Sequence, residues 1–454
     1  MGGGPFRRRP ARRLAPFCGH MARAPRVREQ RQDHAASDVG VGNLLAGDGF
    51  RGIGMLLIFI AHVFANADPA TTLESYGWAR QPIARIDLAL STFFALSGYF
   101  IARPFLRSFI LNTRRPSVRR YLRNRALRIL PAFYLIAAIV MLRFGLDGSI
   151  SPTPDNPSGT GVESSWWQIV SVFTFTQSYT GGSVTLPIGQ GWTLDVEVAF
   201  YLSIPVAATI AYRLGRPLKT PRTRAIAALC FIAFLLLFSI TLRQLADNSF
   251  ALLTSPPLIV YVFLPGIALA VIEPFVVPYF RDQPRRAQRF IWGAVAVCVL
   301  CWFLYMRWDY EAGTTQIHHA LGRRSLLQAI FGFALVAAMI VVQLGTRTVP
   351  RWLDSRWATW LGVRSYAFYL FHVWVILEVI NVAGTNLEPF VLGMIIFVVG
   401  FPVSCALAGL SWKFVEEPCM QRRLPWAPGL RPMPGKANQV RDPKTEPEPE
   451  KAPV

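Results

Sequence analysis

The sequence predicts an all-α, polytopic integral membrane protein of about ten transmembrane helices, with a re-entrant or interfacial segment at 166–178. Three observations predict it. Hydrophobic residues make up 52% of the 454 positions and charged residues only 16%, where a soluble domain carries about a quarter. Apolar runs long enough to cross a bilayer begin near Leu44, Ile86, Ile129, Trp192, Ala225, Pro257, Phe290, Ser325, Leu361 and Phe390. The basic residues then sort to one side. With the N-terminus inside, segments 103–128, 213–224, 281–289 and 347–364 hold 22 Lys and Arg, while 67–85, 147–191, 243–255, 307–324 and 383–388 hold 6.

The first 43 residues, rich in Arg, Gly, Ala and Pro, read as a basic, disordered cytoplasmic tail with no apolar core of signal-peptide length. Residues 44–412 form the membrane domain. The first run carries Arg51 and, eleven residues on, His62. Eleven steps of about 100° return a helix to nearly the same face and raise it about 16 Å. An ionisable group at bilayer depth costs at least about 2.5 kcal/mol, so it faces a protein-lined or watery cavity. The second run holds Phe93-Phe94-Ala95-Leu96-Ser97-Gly98-Tyr99, whose small residues permit close helix packing. At the start of the third, Arg125 and Arg128 lie three apart on one face. Such guanidinium groups clamp phosphates, whether of acidic lipids or of a nucleotide-bearing donor.

Trp166 to Gln177 is short and interrupted by Gln168, Ser171, Thr174 and Thr176. Counting it as a full span would invert every later loop and put the basic ones outside, hence its assignment as re-entrant or interfacial. The fourth span opens with Trp192-Thr193-Leu194-Asp195-Val196-Glu197 and continues to Tyr201, placing two carboxylates near its outer end. The ninth carries Ser365-Tyr366 and then Tyr369-Leu370-Phe371-His372, a second histidine in an apolar helix. Glu416-Glu417-Pro418 closes the tenth. Residues 413–454 read as a cytoplasmic tail, disordered after about 427, where Pro, Lys and Glu dominate.

The net charge of +21 lies in the tail and inter-span segments, as topology signals do, and not in a pattern suited to nucleic acid. Of six cysteines, Cys298 and Cys301 form an isolated C-x-x-C without the second ligand pair a zinc site needs; no metal site is expected.

Taken in order, these motifs resemble membrane acyltransferase family 3, the O-antigen and peptidoglycan O-acetylase type. The resemblance is carried by Arg51/His62, Phe93–Gly98, Arg125–Pro131, Trp192–Tyr201, Ser365–His372 and Glu416–Pro418. Thr193 stands where that pattern has Ser, and Tyr99 where it has Phe. No esterase-like domain of the kind two-domain members carry is expected after the last span. What the resemblance implies is transfer of an acyl group, most often acetyl, from cytoplasmic acyl-CoA to a hydroxyl. The acceptor would be a cell-surface glycan, a glycolipid or a glycosylated metabolite, and no tightly bound cofactor is expected.

The residues suit that chemistry. A sugar hydroxyl is a poor nucleophile, and a neutral imidazole is the side chain fitted to take its proton near neutral pH, so His62 is the expected general base. Arg51, Arg125 and Arg128 map to the cytoplasmic mouth, where donor phosphates would bind. Trp192 and Glu197, at the outer end, are expected on the acceptor side. Ser97, Tyr201, Tyr366 and Glu416 are supporting candidates, and His372 either orients His62 or packs. A secondary transporter with a midplane Arg/His/Glu site is the competing class; it should show matching broken helices in two inverted halves, and none is visible.

Overall fold

The computed structural model describes residues 1–2, 45–68, 88–144, 166–179, 189–246, 250–280, 283–311, 317–342, 350–384 and 386–425. Apart from residues 1–2, the two expected disordered tails, 1–43 and beyond 427, lie outside the described residues. All the helices belong to one unit, 40–454. Among the described residues the structure is helical throughout, without a strand.

Among the described residues nine helices are long and apolar enough to cross a membrane, and a bent pair brings the number to ten. They match the ten expected runs. In order they are α1 (Leu45–Ala67), α2 (Leu88–Leu111) and α3 (Val118–Phe144). The short α4 (Trp166–Phe173) precedes α5 (Trp192–Leu214) and α6 (Pro221–Leu245). The bent span joins Pro256–Val262 to α7 (Leu264–Phe280) at 50°. Then come α8 (Pro284–Glu311), α9 (Ile317–Ile340), the short α10 (Arg356–Val363), α11 (Ser365–Ala383) and α12 (Pro389–Gln421). On α6 and α8 large side chains such as Phe231, Phe234, Leu237, Trp292 and Phe303 point outward. An apolar face of that extent belongs against lipid, not water.

Expectation and structure differ at the tenth span. The helix runs past 412, the expected end of the membrane domain, to Gln421, with π-helical turns at Ile396–Gly400 and Trp412–Glu416. Such wide turns are uncommon and concentrate at functional sites.

The segment 166–178 is a short helix and turn packed against α3. Eight residues of α4 extend only about 12 Å. The chain then turns through Phe175, whose φ of 58° is left-handed, into a 3₁₀ turn at Gln177–Tyr179. The Phe175 ring lies 4.6 Å from that of Phe133, in the middle of α3, and Tyr134 donates to the Phe173 carbonyl. Irregular backbone at such depth is tolerated only when protein covers it, and Val172, Phe175 and Ser178 are buried. Asp195, fully buried at the start of α5, accepts from the Ser178 amide at 2.9 Å and its hydroxyl at 2.6 Å. One of the two expected carboxylates is thereby assigned to anchoring the segment.

Two glycine contacts set the frame of the site. A Cβ at Gly98 would stand 2.3 Å from the Phe263 carbonyl oxygen, so α2 and the bend before α7 touch through backbone. A Cβ at Gly52 would stand 2.1 Å from the Ala358 carbonyl oxygen, so α10 lies directly on α1. The latter contact brings α11, which follows α10, alongside the part of α1 that holds His62. Met55, Phe59, Phe368 and Ile376 fill the space between.

Candidate active site

His62 lies on α1 and His372 on α11, and their rings meet: His62 Nδ1 is 3.1 Å from His372 Nε2. His372 is fully buried, its ring stacked on Phe368 and tilted against Phe59, whereas His62 keeps partial access. The hydrogen bonds constrain the roles of the ring nitrogens. His372 Nδ1 stands 2.7 Å from the Tyr369 carbonyl, which can only accept, so that nitrogen carries a hydrogen. A neutral His372 then offers Nε2 as an acceptor. We accordingly assign His62 as the donor through Nδ1, which leaves its lone pair on Nε2. An accessible imidazole backed by an inaccessible partner is an arrangement suited to proton transfer.

The arginines converge on one another. Arg51 pairs with Asp48 at 3.0 Å, one turn earlier, and lies over the Phe100 ring. Its charge and that of Arg128 act on each other. Arg125 lies over the rings of Tyr121 and Tyr201, at 5.7 and 5.3 Å. Tyr201 donates a short hydrogen bond to Glu197, which also accepts from Ser97 at 2.9 Å. Within the Ser-Gly pair, then, Gly98 serves packing and Ser97 serves the site.

The start of α5, which carries Trp192 and Glu197, packs into the bundle: Gln190 Nε2 donates to the Leu370 carbonyl at 3.0 Å, and the Thr193 hydroxyl meets that of Tyr369 at 2.9 Å. Both contacts fall within a turn of His372. Tyr201, about 12 Å further along α5, is level with Tyr121, whose hydroxyl donates to the Tyr201 carbonyl. Glu197 therefore stands between the histidines and the arginines. Trp192 packs its ring near Phe94. Thr193 retains the hydroxyl that the family's Ser would supply. Tyr366 donates to the Ile129 carbonyl at 2.8 Å and so ties α11 to the arginine-bearing end of α3.

Glu416 is buried in the last π-helical turn, accepts from Ser411, and feels the charges of Arg128, Arg364 and Arg423. Beyond the membrane helices, burial pushes the Arg364 guanidinium below its ordinary value, against the pull of Glu417 and Glu416. Burial pushes Arg423 down to about 9, helped by the like charges of Arg128 and Arg125. Among the described residues no group of three His, Cys, Asp or Glu is placed to hold a metal ion.

Several site residues escape sequence reasoning. Asp48 carries a local signal, an acid three residues before Arg51 on a helix. Tyr369, though inside the Ser365–His372 motif, and Gln190 matter through contacts that bring distant segments together, and nothing near Gln190 announces it. Arg423 lies beyond the last motif.

Comparison with known proteins agrees with the geometry. The family described as "Acyltransferase domain" matches residues 45–409. The chain is 24% identical over 379 residues to YrhL of Bacillus subtilis, provisionally named a peptidoglycan O-acetyltransferase, covering 82% of this chain and 54% of that protein. It is 23% identical over 393 residues to the peptidoglycan O-acetyltransferase OatA of Listeria monocytogenes, with 82% and 55% covered. The O-acetyltransferase OatA of Staphylococcus aureus is 20% identical over 383 residues, with 83% and 57% covered. The chain thus spans about half the length of the curated relatives it matches. No solved structure matches it.

Proposed function

The chain belongs to the acyltransferase family, and from that premise we propose that it is a membrane O-acyltransferase moving an acyl group, acetyl by preference, from acyl-CoA to a glycan hydroxyl. The observation that carries this is the line from arginines to histidines. Arg51 and His62 share one face of α1 about 16 Å apart, a span on the scale of an extended pantetheine arm. Donor phosphates held among Arg51, Arg125 and Arg128 would bring the thioester carbonyl to His62. The arginines' fork geometry suits that task.

The reaction then runs as follows. The acceptor hydroxyl gives its proton to His62 Nε2 as its oxygen attacks the thioester carbonyl carbon. The tetrahedral adduct collapses with cleavage of the C–S bond. His62 returns the proton to the departing thiolate, leaving an ester and free CoA, so no net proton is gained or lost. His372, by accepting from His62 Nδ1, holds the ring in the tautomer that presents Nε2. Glu197, Tyr201 and Ser97 line the path between donor phosphates and the reacting carbon.

The names of the relatives point to peptidoglycan, and an amino-sugar hydroxyl of the cell envelope is the acceptor class we propose, with glycolipids sharing the same chemistry. The protein would sit in the plasma membrane with both termini cytoplasmic, as the loop charges ask. Purified protein should release free CoA from acetyl-CoA only when a glycan acceptor is added; no acceptor-dependent release with any envelope glycan or glycolipid would refute the proposal.

A further inference from the structure

After α12 the chain does not leave the bundle. Asn124, buried on α3 between Arg123 and Arg125, grips Leu424 from both sides: its Nδ2 donates to the Leu424 carbonyl at 2.6 Å, and its Oδ1 accepts from the Leu424 amide at 3.0 Å. Arg120 adds a bond to the Pro425 carbonyl. A side-chain amide that pairs both polar groups of one residue fixes that stretch of backbone in position and register. The residue so placed is Arg423, next to the clamped one.

Arg423 is set among like charges. The guanidinium groups of Arg125 and Arg128 act on it, with the Glu416 carboxylate as the acid that offsets them. Its Nε and Nη2 are buried, and neither has a hydrogen-bond partner among the described residues. Buried guanidinium N–H groups without a partner are costly, and a bound anion is one arrangement that satisfies them. Two adjacent N–H groups of one guanidinium are the fork that takes two oxygens of a phosphate. Beside it stand two further arginines, so the ligand this arrangement fits carries more than one phosphoryl group.

We propose that Arg423, held in place by the Asn124–Leu424 clamp, is a phosphate-binding residue of the acyl-donor site, completing with Arg125 and Arg128 a cradle for the phosphates of coenzyme A. This rests on the acyl-CoA reading above. It gives the segment after the last span a function, although that segment lies outside the matched domain. The same phosphoryl chemistry could come from an anionic lipid headgroup, and the test separates the two.

Full-length protein in phosphatidylcholine nanodiscs is titrated with coenzyme A by calorimetry, and the titration is repeated in discs containing phosphatidylglycerol. Loss of a charge-assisted phosphate contact in Arg423→Ala should weaken coenzyme A binding about ten- to a hundred-fold. Asn124→Ala, with every arginine intact, should weaken it in the same direction by releasing the clamp. Arg422→Ala, which removes an equal charge from an exposed neighbour, should leave affinity within about twofold, the scale of a screened surface charge. Should Arg423→Ala fail to assemble, Arg423→Gln carries the test with the same expected loss. Wild-type affinity in the folded Arg423 variant overturns the inference while leaving the acyl-CoA function standing. Absence of coenzyme A binding to the wild type removes that function itself. A deficit confined to phosphatidylglycerol discs, with coenzyme A affinity unchanged in phosphatidylcholine, assigns the site to lipid and also overturns the inference.

Discussion

Replacing His372 by Phe separates orientation of the base from packing around it. The substitution keeps a flat ring in a site bounded by Phe368 and Phe59, but removes the acceptor 3.1 Å from His62 Nδ1 and the donor to the Tyr369 carbonyl. The first loss bears on catalysis. Without Nε2 of His372 to accept from it, His62 no longer has a partner selecting the tautomer with a free Nε2. Loss of general-base catalysis altogether would cost about a hundred- to ten-thousand-fold. Loss of an outer partner that sets ring orientation falls below that ceiling, at about ten- to a hundred-fold in kcat, by analogy with the histidine partners of metal sites. The second loss bears on stability: the Tyr369 carbonyl keeps its helical bond, so losing the extra donor costs about 0.5–1.5 kcal/mol, read as a lower melting temperature. The assay is release of CoA at saturating acceptor, with KM for acetyl-CoA and thermal melting measured in parallel. KM should stay near wild type, because His372 touches no arginine. His372→Gln, whose Oε1 can accept from His62, should recover much of kcat. A folded His372→Phe enzyme with wild-type kcat, or a Gln variant as impaired as Phe, would refute the assigned relay.

Three further outcomes are expected. Arg125→Ala and Arg128→Ala should raise KM for acetyl-CoA, each by the equivalent of about 1.5–3 kcal/mol, with insertion unchanged; initial-rate kinetics check this, and a normal KM in both would place the donor elsewhere. Ser178→Ala removes the hydroxyl donated to the buried Asp195 carboxylate at 2.6 Å and should cost about 1.5–3 kcal/mol, seen as faster hydrogen exchange across 166–179; unchanged exchange would show that the anchor is not needed. Cysteines introduced at Ser158 and Ser117 should differ toward an impermeant maleimide in intact cells, only the first reacting, and the reverse pattern would invert the topology.

The bundle itself was legible because bilayer thickness fixes the length of an apolar run, so each of the ten expected spans has a counterpart. His62 and Arg51 were legible for a related reason: helical periodicity places residues eleven apart on one face without any knowledge of neighbours. The depth of α5 was not. Hydropathy measures length along the chain, and the absence of basic residues in 147–191 located that stretch outside without showing that part of it folds back to Phe133. Trp192 and Glu197 were expected only at the outer end of their span, whereas the structure also shows Gln190 and Thr193 bonded within a turn of His372. His372 was visible as a histidine in an apolar helix, but its partner lies 310 residues away and no local pattern encodes that distance. Asn124 was hidden in the same way: in a run of arginines it reads as a surface residue, and its role depends on Leu424.

The central claim, that His62 is the base for acyl transfer, is tested most directly by acceptor-dependent CoA release from the His62→Gln variant. Gln approximates the volume and hydrogen bonding of the ring but cannot take a proton at neutral pH. The expected result is turnover near background, a fall of about a hundred- to ten-thousand-fold, in a protein that still inserts, melts normally and binds acetyl-CoA. Wild-type turnover in that variant would remove His62 from the chemistry.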